Sequence, residues 1–178
     1  LIEFEESPYL ERPLGFNASD AEESLEKCVV EMEKRYRLFK EASRTHSRLV
    51  SSIKSFNKVA PVNQNLSWWV IVLDEYADLI INPDDKKKIE QLLSRLAAKA
   101  RASGIHIIIA TQKPTVEVIN SVLRSNLPAQ LALTVKSGNE SRVIMDDLGA
   151  ESLSGNGDAF LKIGGKLNRL QCAMVADD

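Results

Sequence analysis

The apolar positions change rhythm along the chain. Between residues 19 and 40, Leu25, Cys28, Val29, Met32, Tyr36 and Phe39 recur at helical intervals, with charged side chains on the other face. Ser19-x-x-Glu22 has capping-box spacing and predicts the helix start at Ser19. Residues 1–16, with Pro8 and Pro13, read as a strand end and a loop. A second, weaker helix is expected over 47–58 on Leu49, Ile53 and Phe56, followed by a polar surface loop over 59–67. Then the period shortens. Trp69–Leu73 is continuously apolar and largely β-branched, as in a central parallel strand covered on both faces. A helix over 84–103 presents Ile89, Leu92, Leu93, Leu96, Ala97 and Ala100 on one side, and Gly104 stands where a C-cap glycine belongs. Ile105–Ala110 reads as a second buried strand, Thr115–Arg124 as a short helix, Ala129–Val135 as a third strand and 139–148 as a helix. Ala159–Ile163 and Leu170–Val175 read as a closing hairpin across Gly164-Gly165-Lys166. Alternating strands and helices predict an α/β layered fold with a mainly parallel sheet.

Composition narrows the function classes. The 178 residues carry a net charge of −2, which argues against a small basic DNA-binding module and leaves room for a large protein showing DNA a local basic strip. The two cysteines, Cys28 and Cys172, lack metal-ligand spacing and read as core-filling thiols in a reducing, cytoplasmic setting. No apolar run approaches the roughly 20 residues of a membrane helix. The chain opens on Leu1, not Met, with no signal-peptide pattern, and reads as a piece of a longer protein.

Candidate chemistry begins at Val70-Ile-Val-Leu-Asp74-Glu75, where a buried strand runs straight into two acids. The carboxyl edge of a parallel sheet borders a ligand crevice. There Asp74 can reach a nucleotide-bound Mg²⁺, a hard ion that takes oxygen ligands, and Glu75 can polarise a water at the γ-phosphate, the Walker-B arrangement. Taken alone, the pair reads equally well as a strand exit capping the next turn. The following strand ends in Thr111-Gln112, expected at the same sheet edge, sharing the pocket with the acids and able to sense the γ-phosphate or orient the lytic water. His106 reads as a core histidine. At least one of Trp68 and Trp69 is expected in the core, and neither has basic neighbours in sequence that would make a base-stacking platform.

Several ordered runs carry a resemblance: Val30–Tyr36, Asp74–Leu79, Arg95–His106, Ile109–Pro114, Met145–Leu153, and the glycine-rich Gly155–Asp158. Together they resemble the motor domain of the FtsK/SpoIIIE translocases over nearly the whole chain. The resemblance implies a RecA-like fold, ATP and Mg²⁺ as cofactors, double-stranded DNA as partner, and a homo-oligomer, a hexameric ring with nucleotide between neighbouring subunits. By family position Asp74 and Glu75 are the Walker-B acids, and Thr111 and Gln112 the sensor segment. The chain then reads as a single partial motor domain, with 1–18 a strand end and loop, 19–67 a helical segment and loop, and 68–178 the Walker-B and sensor core with the terminal hairpin.

Three departures stand out. No G-x-x-x-x-G-K-[ST] occurs, and Gly164-Gly165-Lys166 is followed by Leu167, so it is not a P-loop. In the family that loop lies upstream of the matched region, and these residues alone are expected to bind ATP weakly and not to turn it over. Asn126-Leu-Pro-Ala-Gln130 replaces the family's Asn-Ile-Pro-Thr-Arg, so a finger arginine would have to come from Arg124 or Arg142; Arg142 fits equally a local ion pair. The family's Pro-Pro-Gly hairpin turn is here Lys162-Ile-Gly-Gly-Lys166, which suits a divergent member from a DNA-defence, conjugation or secretion system. Lys162, Lys166 and Arg169 place three positive charges on that hairpin, fitting either a sequence-indifferent phosphate-tracking loop or a solvated turn. Lys86-Lys87-Lys88 reads as an exposed helix face. Two other readings stay open: a docking fragment without turnover, and a type VII secretion-like motor that moves protein.

Overall fold

The computed structural model describes residues 4–174, and Val175, the expected end of the last strand, lies outside them. Two units divide the chain, Leu1–Ala110 and Thr111–Asp178.

The first unit rests on a helix pair. α1 (Ala18–Thr45) starts one residue before the predicted position, because Asn17 is the N-cap and accepts from the Asp20 amide. Asn and Ser cap about equally well, so the spacing alone did not choose between them. Leu25, Cys28, Val29, Met32 and Phe39 form its buried stripe. α4 (Pro83–Ser103) starts one residue before its predicted position, with Asn82 as N-cap and Pro83 in the first turn, and ends as predicted at the C-cap Gly104. Gly104 sits at φ 80°, and a Cβ there would lie 2.5 Å from Ile53 Cδ1, so both conformation and space demand glycine. Ile89, Leu93, Leu96 and Ala100 of α4 are buried as it packs on α1. Each such side chain contributes roughly 1.5–3 kcal/mol when fully covered.

Beside this pair, α2 (Ile53–Asn57) is shorter than predicted, because Ser52 and Ser55 close a capping box that fixes its start. Phe39, Val50, Ile53 and Phe56 make a satellite core there. A 3₁₀ turn, Val62–Gln64, leads to β1 (Trp69–Leu73), which pairs in parallel with β2 (Ile105–Ile109). α3 (Tyr76–Leu79) lies between β1 and α4. Burial on both strand faces was expected, yet Val70, Val72 and Ile108 are 45–59% exposed. Among the described residues α1 and α4 cover one face only. His106, expected in the core, is exposed and stacks on Trp68 at 5.3 Å.

In the second unit α5 (Ser121–Asn126) begins later than predicted, with Asn120 capping it through the Leu123 amide. β3 (Ala129–Ala132) pairs antiparallel with β4 (Asp158–Ile163), which pairs antiparallel with β5 (Lys166–Gln171). Among the described residues the parallel arrangement is therefore confined to β1 and β2. β5 starts four residues before its predicted position. Gly164 and Gly165, at φ 57° and 79°, form a two-residue turn whose left-handed residues match strand twist and bring Lys166 opposite Ile163. α6 (Gly138–Met145) packs on β3, and Ala132, Met145, Ala150 and Leu153 form the core.

Candidate functional site

The last residue of β1, Leu73, is buried, Asp74 beyond it is exposed and Glu75 half-buried. Two backbone bonds and one from backbone to side chain shape this edge. Ala110 donates to the Leu73 carbonyl at 2.9 Å, and Tyr76 donates to the Ala110 carbonyl at 2.8 Å. The Glu75 amide donates to Asp74 Oδ1 at 3.1 Å. To send the Tyr76 amide sideways to the neighbouring strand and still enter α3, the chain must reverse at Glu75. That residue takes φ 44°, ψ 62°, the left-handed region. Glycine, Asn and Asp adopt it readily; for glutamate it costs about 1–2 kcal/mol. Strain of this kind persists where the surrounding structure enforces it, and such positions cluster at functional sites.

Tyr76 anchors the turn from beneath. Its ring is fully buried, and its hydroxyl has no hydrogen-bond partner. Burial, with a smaller contribution from the Glu90 charge, raises its pKa, so it stays a phenol. The resulting edge presents one exposed and one half-buried carboxylate, not groups sealed in the apolar interior. Such a pair can ligate a hard cation or accept hydrogen bonds from water.

In the second unit Thr111 is half-buried and accepts from the Lys113 amide at 3.1 Å, while Gln112 is exposed. Arg124 pairs with Asp146 at 3.0 Å and donates to the carbonyls of Arg142 and Val143. Arg142 is exposed in the last turn of α6. Gln130 donates to the Leu127 carbonyl at 3.4 Å. The hairpin cations differ in their surroundings. Arg169 grips Asp158 with two bonds of 2.9 and 2.6 Å, which hold the Asp158 carboxyl far below the usual carboxylate range. Lys162 bonds the Met145 carbonyl, and Lys166 is exposed at the head of β5.

A sequence model of the FtsK/SpoIIIE family matches residues 1–116. The chain belongs to this family. It is 39% identical to DNA translocase FtsK 1 of Neisseria meningitidis serogroup A over 96% of its own length, and spans 23% of that relative. Its fold is similar to that of the pCW3 conjugation coupling protein TcpA, solved with ATPγS, at TM-score 0.74 and 25% identity, covering 86% of this chain and 44% of that one. It is also similar to the cytoplasmic domain of the type VII secretion ATPase EccC of Thermomonospora curvata, at TM-score 0.68 and 24% identity, over 89% of this chain and 18% of that one. The α/β fold is accordingly RecA-like, as the resemblance implied.

Within this FtsK/SpoIIIE chain, sequence reading passed over Arg35. It is 1% exposed, pairs with Glu31 at 2.8 Å and donates to the Ser103 carbonyl at 2.8 Å. Its guanidinium also lies 5.3 Å from the Trp69 ring centroid. The signal was present: Arg35 is three residues after Met32 and four before Phe39, on the apolar stripe itself. Trp69 also receives Lys27 at 5.9 Å, so both tryptophans have basic neighbours that sequence adjacency did not show. No helix among the described residues is long and apolar enough to cross a membrane.

Proposed function

We propose that the chain is part of the motor of an ATP-driven double-stranded-DNA translocase that acts in the cytoplasm as a homo-oligomeric, six-membered ring and hydrolyses ATP only together with a phosphate-binding loop. The observation that carries this is the strained Asp74-Glu75 turn at the carboxyl edge of a parallel strand pair, in a chain 39% identical to a protein named DNA translocase FtsK 1.

Asp74 and Glu75 form the Walker-B pair in this reading. Their oxygen donors fit Mg²⁺, while no group of three potential metal ligands occurs among the described residues. The ion would therefore be shared with nucleotide phosphates and water, its usual setting. When bound, Mg-ATP supplies the phosphoryl group and neutralises charge developing on it. Asp74, exposed, would hold the ion directly or through one of its waters. Glu75, fixed by its backbone, orients and deprotonates the attacking water. Thr111 and Gln112 serve as the sensor segment. Because Arg124 is committed to Asp146 and two carbonyls of its own subunit, Arg142 is the better candidate to reach a neighbour's nucleotide. Lys166 is the hairpin's foremost DNA contact, with Lys162 and Arg169 held in internal bonds.

The test is steady-state ATP hydrolysis by the intact parent protein with and without duplex DNA. Glu75→Gln should lower DNA-stimulated turnover by about 10²–10⁴, and Asp74→Asn should raise the Mg²⁺ requirement. Full turnover in Glu75→Gln would overturn the assignment. Salt-insensitive DNA binding by the parent, with ATPase activity stimulated by a protein substrate instead, would favour the secretion-like alternative.

A further inference from the structure

At the end of β1 and β2 away from the acids, the first unit opens a cleft of about 730 Å³. This is within the range of small-ligand sites. Trp68 and His106 lie on it as a near-parallel stack, 5.3 Å between centroids and 19° between planes. Lys54, Lys99 and Arg101 line it too, and no carboxylate is among its lining residues. These residues come from α2, α4, β2 and the loop before β1.

Two features resist a purely structural account. The first is charge. The chain is net −2, yet three exposed cations converge here without an ion pair among the described residues. Elsewhere lysines of α4 find acids, Lys86 with Glu90 and Lys88 with Glu22. Arg101, in the last turn of α4, and Lys54, in the last turn of the five-residue α2, have a partial reason to be here, since a helix C-terminus favours a cation, but Lys99 precedes the last turn of α4 and has none of that kind. The second is Trp68, a large aromatic that is 46% exposed. His106 fixes the plane of its ring. An immobilised, wet indole beside cations is the arrangement used to stack a base while holding its phosphate.

We propose that this cleft binds a nucleoside phosphate, with the base on the Trp68–His106 stack and the phosphate held by Lys54, Lys99 and Arg101. The shared chemistry is a base carrying phosphate, supplied either by a free mononucleotide or by a segment of single-stranded DNA. The inference is independent of the proposed role of Asp74 and Glu75.

Trp69→Phe leaves Trp68 as the only indole in the chain, and its fluorescence then reports on the cleft directly. In that background, the 178-residue chain is titrated with dAMP, oligo(dA), inorganic phosphate and an oligoglutamate peptide. Saturable quenching by dAMP or oligo(dA) is expected, weakened at least about tenfold by Lys99→Glu with Arg101→Glu and unchanged by Lys87→Glu on the same helix. Trp68→Phe, read by calorimetry, should weaken binding at least about twofold, and Trp68→Ala about fivefold or more. Tighter binding of oligo(dA), with affinity falling steeply in salt, identifies a strand; tighter binding of dAMP identifies a free nucleotide. Three results overturn the proposal: no binding at roughly millimolar ligand, equal binding of phosphate or oligoglutamate, or equal loss in Glu75→Gln.

Discussion

Replacing Glu75 by glycine should leave the chain more stable than replacing it by alanine. Both substitutions delete the carboxylate and whatever it touches, so those losses cancel in the comparison and only the backbone term remains. At φ 44°, ψ 62°, a residue with a Cβ carries a penalty of about 1–2 kcal/mol that glycine escapes. Against that, glycine loses more freedom on folding, worth about 0.5–1 kcal/mol. Glu75 is also the N-cap of α3, a position where glycine is preferred to alanine, which adds to glycine's side. The net difference is about 1 kcal/mol in favour of glycine. Urea unfolding followed by tryptophan fluorescence measures it, with equal m-values confirming that the denatured states match. The corresponding shift in Tm is about 2–4 °C. Alanine as stable as glycine would refute the reasoning, because Glu75 would then not occupy the left-handed region in solution. The result bears on function. If glycine is better for the fold, the glutamate at this position is there for its carboxylate.

Three further outcomes follow from side chains of the same two units. Arg35→Ala should cost about 3–5 kcal/mol in urea unfolding, since it leaves a cavity, takes the buried donor from the Ser103 carbonyl and leaves Glu31 only its pairing with Lys34, whereas Arg35→Met should cost distinctly less; equal costs would show that packing plays no part. Tyr76→Phe should raise stability by about 1 kcal/mol, because it removes a buried hydroxyl with no partner, and a loss of that size in thermal unfolding would contradict the orphaned state. Asp158 has a folded pKa depressed by the Arg169 guanidinium and the Ser154 amide. Its contribution is thus fully present above the unfolded value of about 3.9 and is lost as pH falls below it; Asp158→Asn should flatten that acid limb in unfolding measured below about pH 4.

Legibility differed by element for physical reasons. α4 could be read almost to the residue from its apolar stripe and C-cap glycine, and the Asn82 cap and Pro83 that the structure adds agree with them. The acid edge was legible as well, since a strand running into Asp74-Glu75 is a contiguous signal. Its left-handed turn was not, because no glycine or asparagine marks it. The burial of β1 and β2 was overread: a continuous apolar run states what a strand's faces require, whereas Val70, Val72 and Ile108 depend on cover that α1 and α4 do not supply. The hairpin register was missed by treating Lys166 as turn, although two adjacent glycines suffice for the turn. Lys54, Trp68 and Arg101 could not be associated from sequence at all, since only the packing of α2 and α4 beside the strands brings them to one cleft.

The acid turn holds no position by itself. Asp74 is exposed, α3 has four residues and no side-chain cap, and the strand pair beneath is only five residues long. Its geometry is therefore inherited from what braces β1 and β2. That brace runs through Arg35, which ties α1 to the Ser103 carbonyl at the end of α4, one residue before the Gly104 that turns the chain into β2, while its guanidinium lies over the Trp69 ring at the start of β1. A single buried cation thus links the first residue of one strand, the approach to the other and the helix pair that covers them. Hydrolysis requires the attacking water to be placed within a fraction of an ångström. In the intact parent, Arg35→Met should accordingly lower turnover more than its stability cost accounts for at a temperature where the protein remains folded. Unchanged kcat in a folded Arg35→Met parent would show that the nucleotide, and not this brace, fixes the position of Glu75.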